Sequence, residues 1–226
     1  MAGDSDKRAQ IFRGLQERVC RRRKDRATVI GITGIDCCGK TQFSKAFGRF
    51  LKSERWKVQH IRLDDFHNPK RIRHAEYEGE GEADRYFRRS FDIAKVVDRL
   101  LLPIHEHVGR PFLVRVPLFD LGRDAAGETR AFEFDRETMV LFEGVFLFRE
   151  EFRQFIDYKV FLDISFAEGK ERAVARDGEE AWAKYRAKYY PAQSKYLKNY
   201  PPGETADIVI DNADWERPRI AWARDG

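Results

Sequence analysis

Apolar and polar positions along the chain fall into two alternating periods. From Ala9 to Arg23 the apolar residues Ile11, Phe12, Leu15 and Val19 share one helical face, which predicts an amphipathic helix in the segment 1–26. Ala27 to Thr33 is a short β-branched run ending near glycine, as a strand buried on both faces reads. After it, Phe43, Ala46, Phe47, Phe50 and Leu51 return to helical spacing. A second strand is expected at Lys57 to Leu63, closing on the acidic pair Asp64 and Asp65. From Asn68 to Asp84 the residues are polar and predict an exposed loop. A helix follows with Phe91, Val96, Val97 and Leu100 inward, ended by Pro103.

The runs "RPFLVRVPLFD" and "TRAFEF" flank a glycine-bearing turn, so 110–135 reads as a β-hairpin inserted in the pattern. Strands are then expected at Glu137 to Glu143, Tyr158 to Ile164 and Ala206 to Asn212, with a long charged helical region, 170–200, before the last. Strands alternating with helices imply an α/β fold with a parallel central sheet covered on both faces. The expectation is one domain over 1–226, without internal repeats.

Composition narrows the class of protein. The chain has 226 residues, of which 42% are hydrophobic and 36% charged, with a mean hydropathy of −0.65. No segment approaches the roughly 20 apolar residues of a membrane span, and the start of the chain has no apolar signal core. A cytoplasmic protein without membrane partners is expected. The formal charge of +5 suits an anionic partner, but basic and acidic residues are interspersed. The densest run, "RRRKDR" at Arg21 to Arg26, reads as a solvated helix end or as a nucleic-acid or membrane patch; the first reading is preferred, and no nucleic-acid partner is expected. Cys20, Cys37 and Cys38 are too few and too unevenly spaced for a disulfide framework or a zinc site.

The stretch "GITGIDCCGKT" carries the strongest chemistry. Gly34, Gly39, Lys40 and Thr41 fit a phosphate loop directly after a strand and directly before a helix. Glycines let successive N–H groups turn inward, and the helix N-terminus adds its partial positive charge. Gly34, Ile35, Asp36, Cys37, Cys38, Gly39, Lys40, Thr41 and Gln42 are therefore the expected ATP-binding residues, with Lys40 at the β and γ phosphates and the Thr41 hydroxyl on Mg2+. Cys37 and Cys38 occupy tolerant middle positions as small side chains.

A nucleotide loop alone does not separate kinases from switches and motors. A small-molecule kinase needs a carboxylate to accept the acceptor proton and an acid to help hold Mg2+. Asp64, Asp65 and Glu143 stand at strand ends, where ligands lie in open α/β sheets. Each alone could be a helix cap or turn former; beside a phosphate loop they read as catalytic. No guanine-reading NKxD motif is present.

"GITGIDCCGKT", "LDDFH", "LFEGVFLF", "IDYKVFLDI" and "ADIVIDN", in this order, resemble the uridine kinase-like branch of P-loop kinases, which includes phosphoribulokinase and bacterial pantothenate kinase. The resemblance spans Ala27 to Asn212. It implies a P-loop NTPase three-layer fold of the nucleoside-monophosphate-kinase-like type, with a hairpin near the acceptor and an arginine-bearing lid. By position, Asp64 matches the catalytic base and a metal-side acid, and Glu143 the magnesium-associated acid. Arg172 and Arg176 match the start of the lid helix, where guanidinium groups neutralise charge on the transferred phosphoryl group.

The resemblance departs at two places. An RGRD-like lid sequence is replaced by "ARDGEEAWAKYRAKYYPAQSKYLKNY", which offers Lys184, Arg186 and Lys188 instead. The positions of the ribose and base readers hold Tyr86, Phe119 and Asp124. Asp65, His67, Tyr86, Phe119 and Arg123 are the expected acceptor contacts. Tyr185, Tyr189, Tyr190 and Tyr196 read as lid or interface packing rather than a nucleic-acid stacking platform. The resulting expectation is an ATP- and Mg2+-dependent kinase of a small hydroxyl-bearing metabolite, with uridine or cytidine as the leading acceptor. The alternatives are pantothenate, a sugar, glycerate or another nucleoside, or a nucleotide-binding regulator that transfers nothing. A homo-oligomer stays open.

Overall fold

The computed structural model describes residues 2–224, with side chains described from Lys7 onward. The expected strand positions are occupied by β1 (Thr28–Gly34), β2 (Lys57–Arg62), β5 (Thr138–Glu143), β6 (Tyr158–Asp163) and β7 (Ile208–Asp211), separated by the hairpin β3 (Phe112–Asp120) and β4 (Ala125–Phe134). Among the described residues, the main sheet has the order β2-β5-β1-β6-β7-β8. Its first five strands are mutually parallel. The edge strand β8 (Arg219–Ala223), which the sequence reading did not anticipate, runs antiparallel to β7. The hairpin forms a separate two-stranded sheet.

Residues alternate between the faces of a strand, and each face of the main sheet closes its own core. On one face Val29, Val140, Phe142 and Phe161 pack with the hairpin residues Val116, Leu118, Phe132 and Phe134 and with Val96, Leu100 and Ile104. On the other, Ile30, Ile32, Leu141, Val160 and Leu162 pack beneath two helices, α1 (Ala2–Arg21) and α2 (Lys40–Ser53). The stripes anticipated on these helices supply Phe12, Leu15 and Val19 from α1 and Phe43, Phe47 and Leu51 from α2. Each such side chain contributes on the order of 1.5–3 kcal/mol by leaving water.

Three local expectations need correction. β2 stops at Arg62, and Leu63–Phe66 forms a 3-10 turn that lifts Asp64 off the strand. The segment after Asn68 is not all loop, because Lys70–Arg73 forms a helical turn and Glu82–Arg89 a helix. Pro103 does not end its helix, which continues to Glu106. A π-helical stretch at Val97–Leu101 precedes it, and the wider turn accommodates a residue that has no N–H to donate.

The basic run is largely partnered within the chain. Arg26 is buried and bidentate to Asp157 at 2.8 and 2.7 Å. Arg22 pairs with Asp207 at 2.8 Å, and Arg23 lies over the Trp56 ring. No described helix is long and apolar enough to cross a membrane.

Candidate active site

Strand register builds the site. Arg62 of β2 and Ile32 of β1 both sit opposite Glu143 of β5, so the carboxyl ends of three adjacent strands are level. The phosphate loop, the turn bearing Asp64, and Glu143 therefore emerge on one edge of the sheet, where an open α/β sheet leaves its crevice.

The loop is tightly fitted. Gly39 has φ +91°, and Cys37 takes a left-handed φ of 63°. A Cβ at Gly34 would collide with the Leu162 carbonyl oxygen and lie 2.6 Å from Cys38 Sγ, so this position has room for glycine alone. Cys38 is buried in that contact, which accounts for a small side chain there, while Cys37 Sγ lies 4.0 Å from the Tyr185 hydroxyl. Among the described residues Cys20, Cys37 and Cys38 are all free thiols.

Lys40 Nζ donates to the Gly34 and Ile35 carbonyls at 3.2 and 2.8 Å, arching over its own loop. Burial works against its charge, but Cys38, Asp36, Asp64 and Glu143 around it raise its pKa above the usual value. The Thr41 hydroxyl donates to Glu143 Oε2 at 3.0 Å. Burial raises the pKa of Glu143, opposed by that hydrogen bond and by Lys40 and Arg62.

A cavity of about 780 Å³ opens over the loop, lined by Asp36, Cys37, Gly39, Lys40, Thr41, Gln42, Asp64, Arg172, Arg176, Ala213 and Trp215. Asp64 is exposed into it. Gly34, Ile35 and Cys38 form the buried floor beneath. Arg172 donates to the carbonyls of Cys37 at 3.3 Å and Asn212 at 2.9 Å, tying the helix Phe166–Asp177 to the loop. That helix begins in a capping box between Ser165 and Glu168. Arg176 is more exposed and pairs with Asp177 and the Tyr185 hydroxyl. Tyr185 and Tyr190 pack with Ala173 of that helix, and the Tyr196 hydroxyl accepts the Phe148 N–H at 2.8 Å.

The expected acceptor residues divide. Asp65 faces Arg62 at 3.6 Å, and its pKa is raised by burial. His67 Nδ1 lies 2.7 Å from the Asp64 carbonyl oxygen and its ring meets Phe91. Tyr86 is buried against Phe91, Phe146 and Tyr189. Phe119 is half-buried on β3, preceding Asp120, whose carboxylate accepts the Arg123 N–H. Arg123 stays within its own hairpin turn, paired with Asp120 at 2.6 Å, while Asp124 binds Arg73 at 3.2 Å.

Sequence reasoning missed four participants. Gln193 is buried, accepts the Asp36 N–H at 2.9 Å and donates to Asp36 Oδ2 at 2.8 Å. Asn212 donates to the Cys38 carbonyl at 2.6 Å and would collide with a Cβ at Gly39. Arg62 reaches Glu143 at 3.5 Å as well as Asp65. Trp215 borders the cavity. Only Asn212 had a signal, as the last residue of "ADIVIDN".

The donor set suits Mg2+ bound through phosphates. A hydroxyl and a carboxylate lie in contact at the loop, both hard oxygen ligands, with a second carboxylate bordering the cavity. No group of three or more His, Cys, Asp and Glu side chains able to hold a metal by themselves occurs among the described residues. Magnesium at a kinase site keeps waters and substrate oxygens in its shell, so one or two protein ligands are what such a site requires.

A parallel α/β sheet with a phosphate loop before α2 and acids on neighbouring strand ends defines a P-loop nucleotide-binding protein of the kinase type. Residues 29–181 match the model of the Phosphoribulokinase / Uridine kinase family, and the chain belongs to that family. No curated protein matches the chain. Among solved structures it is similar to a protein described as a possible uridine kinase from Bacillus stearothermophilus, at 24% identity over 82% of this chain and 89% of the other, with a TM-score of 0.64. A candidate fructose transport system kinase from Silicibacter sp. TM1040 has 18% identity, coverage of 85% and 94%, and a TM-score of 0.61. The D-glycerate 3-kinase of Cryptococcus neoformans has 12% identity, coverage of 90% and 94%, and a TM-score of 0.54. At these identities the likeness is one of fold, so the acceptor is a matter for the site itself.

Proposed function

We propose that the protein transfers the γ-phosphoryl group of ATP to a hydroxyl of a small metabolite in a Mg2+-dependent reaction. The observation that carries this reading is the position of Asp64, whose carboxylate borders the same cavity as Lys40 and Thr41, with Glu143 on the Thr41 hydroxyl. A carboxylate beside the phosphate loop is placed to act on an acceptor hydroxyl, which a nucleotide sensor does not require.

The ATP phosphates lie on the loop N–H groups, and Lys40 exchanges the Gly34 and Ile35 carbonyls for phosphate oxygens. Ala213 and Trp215 line the same cavity and are available to the nucleoside end of the donor. Thr41 and Glu143, with Asp64 bordering the same cavity, are the residues that would hold Mg2+, which would supply charge neutralisation at the phosphates. Asp64 takes the proton from the acceptor hydroxyl as its oxygen bonds to the γ-phosphorus and the bond to the β–γ bridging oxygen breaks, releasing ADP. Arg176, on an exposed helix turn, neutralises charge on the transferred group as the lid closes, and closure excludes water as a competing acceptor. Arg172 holds the lid helix against the loop.

The test is ADP release from Mg-ATP against uridine, cytidine, other nucleosides, pantothenate, glycerate and simple sugars. ADP formation that depends on one panel member, with matching phosphorylated product, supports transfer. ATP binding with no product from any member favours the regulator.

A further inference from the structure

A second hollow adjoins the donor cavity without being part of it. It encloses about 380 Å³ between α1 and α2, within the roughly 300–1,000 Å³ of small-molecule pockets. Arg8 and Phe12 reach it from α1, one helical turn apart. Gln42, Lys45, Ala46 and Arg49 reach it from α2, at the three- and four-residue spacing that puts side chains on one side of a helix. Phe12 and Phe43, both buried, give it an apolar floor. Gly39, Gln42 and Trp215 line this hollow and the donor cavity alike, so the two share a wall at the phosphate loop.

The charge in the hollow is one-sided. Arg8, Lys45 and Arg49 line it, and among the described residues no acid does. None of the three has an ion pair or a hydrogen bond among the described residues; Arg8 has only Trp215, whose ring centre lies 5.9 Å from the guanidinium carbon. Half-buried Arg22 and Arg89, by contrast, each hold a carboxylate. The acids that follow β7 are turned elsewhere. Asp211 accepts the Ala213 N–H and Asp214 the Glu216 N–H, both at 3.0 Å, while exposed Glu216 lies outside the lining.

Three like charges around one hollow repel one another, and a phosphate placed among them replaces that repulsion with charge-assisted hydrogen bonds. The floor sets a second requirement. A bare anion leaves Phe12, Phe43 and Ala46 facing water, whereas a flat ring covers them and gains by leaving water itself.

We propose that this hollow is a second ligand site, which takes a phosphate carried on a flat ring, the chemistry of a nucleoside monophosphate, while the donor occupies the neighbouring cavity. Its occupant meets a residue that holds the loop: Asn212 lines the hollow, donates to the Cys38 carbonyl at 2.6 Å and accepts from Arg172 at 2.9 Å through its own carbonyl. A ligand there acts on the loop without entering the donor cavity. The site is one of binding and does not require that phosphoryl transfer occur.

The test uses the full chain with Mg2+ and a saturating non-hydrolysable ATP analogue. UMP, CMP, AMP and GMP are titrated by calorimetry against the matching nucleosides, which lack the phosphate, and against ribose 5-phosphate, which lacks the ring. At least one monophosphate is expected to bind the analogue-loaded protein about tenfold or more tightly than either match, the size of one charge-assisted contact. Arg49 stands outside the donor cavity. Arg49→Glu is therefore expected to remove about tenfold or more of that affinity and Arg49→Lys to keep most of it, with affinity for the analogue alone within about twofold of the parent. Should Arg49→Glu not fold, Arg8→Gln carries the test. Ribose 5-phosphate binding as tightly as every monophosphate overturns the proposal, as does the absence of monophosphate binding to the loaded protein. Binding only without the analogue also overturns it and makes the hollow part of the donor site, and binding indifferent to Arg49→Glu places the monophosphate elsewhere. Failure of the kinase reading looks different: no ADP forms from Mg-ATP with any acceptor, whatever the monophosphates do.

Discussion

Gln193 offers a stringent check on how the phosphate loop is held. Its side chain is 1% exposed and makes two hydrogen bonds to Asp36, one accepted from the backbone N–H and one donated to the carboxylate. Gln193→Ala removes both and leaves a small cavity between the lid segment and the loop. A neutral hydrogen bond contributes about 1 kcal/mol and one to a charged group about 1.5–3. With a modest cavity cost, the expected loss is about 2–4 kcal/mol. Urea unfolding at pH 7.5 reads this as a lowered midpoint at unchanged slope. Gln193→Glu sharpens the test by placing a second carboxylate against Asp36, whose pKa burial already raises. The folded variant then binds a proton more readily than its unfolded chain, so its deficit is largest near neutrality and shrinks as pH falls. A Gln193→Ala protein within about 0.5 kcal/mol of the parent, or a Gln193→Glu deficit that grows on acidification, would refute the reasoning.

Other predictions follow from neighbouring groups. Glu143→Gln keeps an acceptor for the Thr41 hydroxyl but removes the charge, so a Mg2+ titration of ADP release should show a requirement raised about tenfold or more. Because burial raises the Glu143 pKa, the Mg2+ requirement of the parent protein should also climb on the acid side of neutrality. His60 is half-buried, and that partial burial, then the charges of Lys52 and Arg130, push its pKa down to about 4 from 6.5. The unfolded chain therefore binds the proton first, and stability present above about pH 6.5 is lost as pH falls toward 4. His60→Gln should flatten that part of the stability profile in urea titrations, and an unchanged profile would remove His60 as the cause.

The phosphate loop was legible because its parts are contiguous: an apolar strand, glycines at fixed offsets and a helix with an apolar stripe. Asp64 and Glu143 were legible for a related reason, since an acid following a strand run marks the sheet edge where ligands bind. Gln193 and Arg62 were not, because they work through contacts between segments distant in sequence or through the register of β2 against β5. Gln193 looks like any polar residue in a charged helix until Asp36 is placed beside it. β8 was hidden by its own surroundings: Arg219–Ala223 is short, follows Pro218, and exposes Ile220 and Trp222, so it shows none of the continuous apolar character of the inner strands. The π-helical turn before Pro103 was equally invisible, because a proline in a helical pattern reads as a stop.

Lys188 illustrates the limit most clearly. In the sequence it is one of several cations in an unfamiliar lid; in the structure it is the one that rests on Tyr86, while Arg186 borders a different hollow with Trp182 and Tyr190.

The central claim is that a carboxylate on the turn after β2 takes the acceptor proton beside a loop-bound donor. The measurement that tests it most directly is phosphoryl transfer by Asp64→Asn under saturating Mg-ATP and the acceptor found by the panel, with ATP affinity measured on the same sample. The account predicts that turnover falls by about a thousandfold while ATP affinity stays within a few fold. Turnover within a few fold of the parent would contradict it and remove Asp64 from the chemistry.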